Sequence, residues 1–207
     1  MQRVFKLFCL VLLLMPGGLK GGVITFQFSG AVTQVPLDEV FGDINFGDAI
    51  QGSFSFDTAG ADQIPADPAT GSYTFSAPFG MTVAVGTHEF STTGSLNIGI
   101  LNSFIDQFTV LATSASGNLT LELLLQDSTG SVFSNDHLPS GALALGSFDQ
   151  RDFHLDAVFA GGEVQADGRV TAIRVQGAPE PGALVAVASG LMALGGLAAR
   201  RRFSQDK

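Results

Sequence analysis

The sequence predicts an all-β domain, a single antiparallel β-sandwich of jelly-roll type, framed by an N-terminal signal peptide and one C-terminal transmembrane helix. Three observations predict the domain. Apolar residues recur with period two: Ile24, Phe26 and Phe28 alternate with Thr25, Gln27 and Ser29, as in a strand with one buried face. Gly, Pro, Asp and Asn interrupt such runs at short intervals, as turns require. No long stretch between the two ends of the chain carries helical periodicity.

In chain order, strands are expected at 23–35, 50–56, 71–76, 81–85, 88–92, 107–112, 119–125, 142–148, 153–159 and 163–176. Segment 119–125 is the ambiguous one, because Glu122 among leucines could begin a helix; β neighbours on both sides decide for a strand. Many short strands joined by turns suit two packed antiparallel sheets. The long first and last strands, 23–35 and 163–176, are expected to lie side by side, with both ends of the domain at one edge. Phenylalanine supplies nearly all the aromatic character, 18 Phe against one Tyr and no Trp, which points to core packing.

Residues 1–22 read as a secretory signal peptide. Arg3 and Lys6 form a positive start, 7–15 is a short apolar run, and Pro16-Gly17-Gly18 breaks it; the run is too short to span a bilayer well. No Ala-x-Ala is present, so cleavage is placed near Gly22. At the other end, 179–207 forms an anchor segment. Positions 182–199 hold no charge and only Ser189 as a polar side chain. A helix of that length runs about 27 Å, close to the thickness of a bilayer core, and satisfies its own backbone hydrogen bonds there. Arg200, Arg201 and Arg202 follow at once. Short arginine-rich flanks stay on the cytoplasmic side, which places the N-terminal domain outside the inner membrane. Pro181 and Gly182 suit the helix entry.

The tail Pro179-Glu180-Pro181, apolar 182–199, then Arg200, Arg201 and Arg202, resembles the PEP-CTERM sorting signal of exopolysaccharide-producing Gram-negative bacteria. The resemblance covers about the last 25 residues, 178–202, in order and spacing. The family often has Val before the motif and Ser or Thr two residues after it; here those positions are Ala178 and Ala183. The resemblance implies recognition by an exosortase, a membrane cysteine transpeptidase-like enzyme that removes the tail near Pro179-Glu180-Pro181. The transmembrane helix would then be temporary. A plain C-terminal anchor is the alternative.

The 156 residues of 23–178 suffice for one domain with a sizeable core. Cys9 is the only cysteine and lies in the leader, so the exported domain has no disulfide, and thiol catalysis by it is excluded. The domain keeps three arginines, no lysine and seventeen acidic residues, a formal charge of −14. Nucleic-acid binding needs a basic surface and is excluded. Attraction to an anionic polysaccharide or membrane is disfavoured, whereas cation binding or solubility through self-repulsion fits.

Several residue groups bear on chemistry. Asp57, Asp62 and Asp67 lie in a Pro/Gly/Ala-rich loop, 57–71, where hard oxygen ligands suit Ca²⁺; their spacing matches no EF-hand, and Asp also favours solvated turns. The acidic loop 38–48 is a weaker case of the same kind. Asp152, His154 and Asp156 alternate with Phe153, Leu155 and Ala157, so all three polar groups face one way, either as a metal or acid–base ladder or as the wet face of a strand. His88-Glu89 and His137 stand alone in sequence, as surface or turn residues. Asn118-Leu119-Thr120 fits a glycosylation sequon. No hydrolase elbow, zinc-protease helix or phosphate loop motif occurs.

The expected function is an exported structural protein of the cell surface or exopolysaccharide matrix, not an enzyme. Its partners would be an exosortase, the inner membrane at least transiently, and an exopolysaccharide. A carbohydrate-binding module is the alternative, weakened by the missing Trp and the single Tyr73. A matrix glycan-active enzyme would need paired carboxylates in a cleft.

Overall fold

The computed structural model describes residues 22–34, 43–159 and 162–176. The leader up to residue 21, the acidic residues Asp38 and Glu39, the Pro179-Glu180-Pro181 motif, segment 182–199 and Arg200, Arg201 and Arg202 lie outside the described residues. Among the described residues, no helix is long and apolar enough to cross a membrane.

The domain is all-β. Its strands are β1 (Val23–Gln34), β2 (Ala49–Asp57), β3 (Thr70–Ser76), β4 (Met81–Val85), β5 (His88–Ser91), β6 (Ser95–Asn102), β7 (Asp106–Thr113), β8 (Leu119–Asp127), β9 (Gln150–Phe159) and β10 (Gly162–Gln176). All pairings are antiparallel, in one sheet of order β3-β6-β7-β8-β9-β10-β1-β2-β4-β5. The chain forms two hairpins, β1–β2 and β4–β5, and a meander from β6 to β10. Connections β2–β3, β3–β4 and β5–β6 cross between the two wings of the sheet, β3-β6-β7-β8-β9 and β10-β1-β2-β4-β5.

The sheet curls until one face meets itself. Phe54 on β2 and Phe108 on β7 stand five strand spacings apart, about 24 Å on a flat sheet, yet their ring centroids are 6.3 Å apart. Phe56 on β2 and Phe75 at the far edge are 5.9 Å apart. One continuous cluster of buried side chains fills the fold, and Phe26, Phe54, Phe56, Phe108, Phe148 and Phe153 are among its largest members. The period-two alternation holds in detail: along β7 the even positions Asp106, Phe108, Val110 and Ala112 are buried and the odd ones are not.

The expected pairing of the first and last strands is present, from Thr25 opposite Gln176 to Gln34 opposite Asp167. The expected position at an edge is not. β1 and β10 lie in the middle of the sheet, and the edges are β3 and β5. Expected strand 142–148 is also corrected. It is a loop with a 3-10 turn at Leu145–Ser147. β8 already pairs with β7 and β9, so nothing remains for an intervening segment to pair with. Burial there does not alternate: only Leu143 and Phe148, five positions apart, enter the core. Strand β6 is not among the expected strands, although it alternates in full: Asn97 and Gly99 occupy the outer face while Leu96, Ile98 and Ile100 are buried.

Both edges of the described sheet carry features that resist pairing. At β3, Gln63 N–H donates to Ser72 O, and Ser72 N–H donates to Asp62 Oδ1, so the loop between β2 and β3 occupies both backbone groups of Ser72. At β5 the strand is only four residues long and carries His88 and Glu89. Short, charged or covered edges resist edge-to-edge association.

Candidate functional site

The outer face divides into two wings of different chemistry. On β10, β1, β2, β4 and β5 it carries amides and hydroxyls. The register puts Arg174, Gln27, Ser53 and Thr82 in one row across four strands. The adjoining row holds Ala172, Ser29, Gln51, Ala84 and Glu89. Short side chains at Ser29, Ser53, Ala84 and Ala172 form a floor between longer ones, and the result is an open groove of about 520 Å³. Arg174 Nε–H donates to Gln27 Oε1 at 3.1 Å, which fixes both side chains across the β1–β10 pair. Arg174 and Glu89 are the only charged residues in its lining.

On β8, β9 and the first half of β10 the same face is acidic. Glu122, His154 and Asp167 stand in one row, and Asp152 lies opposite Arg169 in another. Asp152, His154 and Asp156 do share this face, as their alternation requires. They do not act as a ladder along β9. His154 Nδ1–H donates across to Asp167 Oδ1 at 2.6 Å, and Asp152 Oδ2 accepts from Gln150 Nε2.

Asp57 ends β2, Asp62 and Asp67 lie in the loop that follows it, and each carboxylate turns to the chain two residues on. Asp57 accepts from Ala59 N–H, Asp62 from Ile64 N–H and Asp67 from Ala69 N–H, as Asx turns do. Asp62 also takes Ser72 N–H, and these two amides, Ser72 first, hold its carboxyl below the usual carboxylate range. Among the described residues, no group of three or more His, Cys, Asp or Glu side chains gathers to hold a metal ion. The isolated histidines each find an aspartate: His88 Nε2 bonds Asp43 at 2.6 Å, holding that carboxyl below its ordinary range, and His137 lies 3.5 Å from Asp136. Asn118 lies in the exposed turn between β7 and β8.

One polar corner was missed at the sequence level. Asp106 and Asp127 face each other at the end of the β7–β8 pair and are both buried. Asp106 Oδ2 accepts the N–H groups of Val132 and Phe133, each at 2.6 Å. Asp127 accepts from the N–H and hydroxyl of Thr129 and of Ser131. Those bonds, the Ser131 amide above all, hold the Asp127 carboxyl at a pKa of about 2. Asp106 Oδ1 is buried with no hydrogen-bond partner among the described residues. The two carboxylates clamp the start of the 128–149 loop onto the sheet. The spacing Asp127, Thr129, Ser131 was the available signal, an Asx turn extended by one hydroxyl.

Comparison with protein-family models, curated proteins and solved structures found no match.

Proposed function

We propose that this chain is an exported protein of the cell surface or exopolysaccharide matrix, structural rather than enzymatic. It is delivered outside the inner membrane and processed by an exosortase near Pro179-Glu180-Pro181. One observation carries the proposal: the motif, the uncharged 18-residue stretch and three consecutive arginines stand in immediate succession. Pro179, Glu180 and Pro181 are read by the processing enzyme. Segment 182–199 holds the substrate in the bilayer, and Arg200, Arg201 and Arg202 set its orientation. None of these residues catalyses anything. The domain is compatible with such cargo: the formal charge of 23–178 is strongly negative, and the edge strands β3 and β5 carry features that resist pairing.

The finer architecture proposed is a jelly-roll-like sandwich, in which the two wings of the curled sheet act as its layers. The ring contacts of Phe54 with Phe108 and of Phe56 with Phe75 support it. Asp57, Asp62 and Asp67 are read as turn-forming residues, each accepting from the amide two residues on, with Asp62 also reaching Ser72 N–H on β3.

Two variants followed by cell fractionation test the sorting proposal. Replacing Pro179, Glu180 and Pro181 with alanine is expected to leave the uncut chain in the inner membrane. Replacing Arg200, Arg201 and Arg202 with glutamine is expected to impair retention and orientation. Normal sorting of either variant contradicts its assigned role.

A further inference from the structure

We infer that the groove on β10, β1, β2 and β4 binds a neutral, hydroxyl-rich saccharide chain. This goes beyond the sorting proposal, because binding by the domain does not depend on whether the tail is removed.

The chemistry of the lining selects the ligand class. Gln27 and Gln51 each present an acceptor and two donors, and Ser29, Ser53 and Thr82 each present a hydroxyl that both donates and accepts. Sugar hydroxyls have the same dual character, so each can be matched from both sides. Arg174 and Glu89 offset one another, which leaves the groove without net charge. The acidic residues of the outer face are gathered instead around Glu122, Asp152, Asp156 and Asp167, one wing away. A cation would be drawn to that wing and a polyanion repelled by it.

The geometry selects a chain. The groove is open, and its volume of about 520 Å³ lies within the ordinary range of ligand sites. Its rows of polar side chains cross four hydrogen-bonded strands, so the spacing between donors is fixed by the sheet at about 4.8 Å. A peptide strand cannot dock by β-augmentation here, because β10, β1, β2 and β4 are each already paired on both sides. The Arg174–Gln27 bond holds two of the donors in place before any ligand arrives, which lowers the ordering cost. Without an aromatic platform, recognition rests on hydrogen bonds.

The test is affinity electrophoresis of the full-length protein, solubilised in a detergent without a sugar headgroup, through gels containing dextran, galactomannan, xyloglucan or alginate. Retardation by at least one neutral polysaccharide, unchanged by high salt, is expected. Gln51→Ala and Arg174→Ala should each weaken it about tenfold, as loss of one or two hydrogen bonds does. Asp156→Asn, on the acidic wing, should leave it unchanged. No retardation of folded protein by any neutral gel overturns the inference. So does salt-sensitive retardation by alginate alone, or full binding by Gln51→Ala.

Discussion

The ring of Phe28 occupies the space that a side chain on Gly52 would need: a Cβ added there would stand 2.3 Å from Phe28 Cζ. The two residues face each other across the β1–β2 pair. Phe28 cannot swing aside, because it is 4% exposed and packed between Phe54 at 6.4 Å and Phe153 at 5.9 Å. Gly52→Ala is therefore expected to destabilise the domain by about 1–3 kcal/mol, as overpacking does, measured by urea unfolding. Wild-type stability in that variant would mean the ring relaxes freely.

The curl of the sheet rests on phenylalanines that meet from opposite wings. Phe54→Ala and Phe108→Ala should each cost about 3–5 kcal/mol, the usual penalty for emptying a packed aromatic site. Phe104, 85% exposed, is the control, and its alanine variant should stay within about 0.5 kcal/mol of wild type. Because Phe54 and Phe108 touch, the double variant should cost less than the sum of the single ones.

Acid should weaken the domain through its clamped carboxylates. The folded pKa of Asp127 is about 2 against an ordinary 3.8, so its contribution is present above pH 3.8 and is lost as pH falls toward 2. Asp62 and Asp149 are shifted the same way by backbone and side-chain donors, Ser72 and Ser128 foremost. The melting temperature is expected to drop between about pH 4 and pH 2. Asp127→Asn should melt lower at pH 7 and lose less across that window. Parallel curves for the two proteins would remove Asp127 as a contributor.

Much of this was legible beforehand because the period-two pattern is a direct print of the pleat. Phe26 and Phe28, and Met81, Val83 and Val85, are buried as their alternation requires. Where the pattern misled, partner availability decided: 142–148 alternates like a strand but lies between two strands whose neighbours are taken. Curl was illegible, since nothing local in Phe54 announces Phe108. The groove was illegible for the same reason. Gln27, Gln51 and Arg174 are ordinary wet-face residues until β1, β2 and β10 bring them together, and the single Arg174–Gln27 bond spans 147 positions of sequence.

Edge protection at β3 should depend on one carboxylate. Asp62→Ala removes the acceptor for Ser72 N–H and exposes a strand edge. Greater self-association is expected by light scattering at raised concentration, with Asp67→Ala, which bonds only within its loop, behaving as wild type. Equal scattering by the two variants would show that the edge is guarded by something else.

The intact mass of the protein recovered from the surface and medium of its native host tests the central claim most directly. If the tail is an exosortase address, the mass will place the start near Val23 and the C-terminus close to Pro179-Glu180-Pro181. A mass that retains residues 182–207 would mean a permanent inner-membrane anchor and would contradict a matrix role.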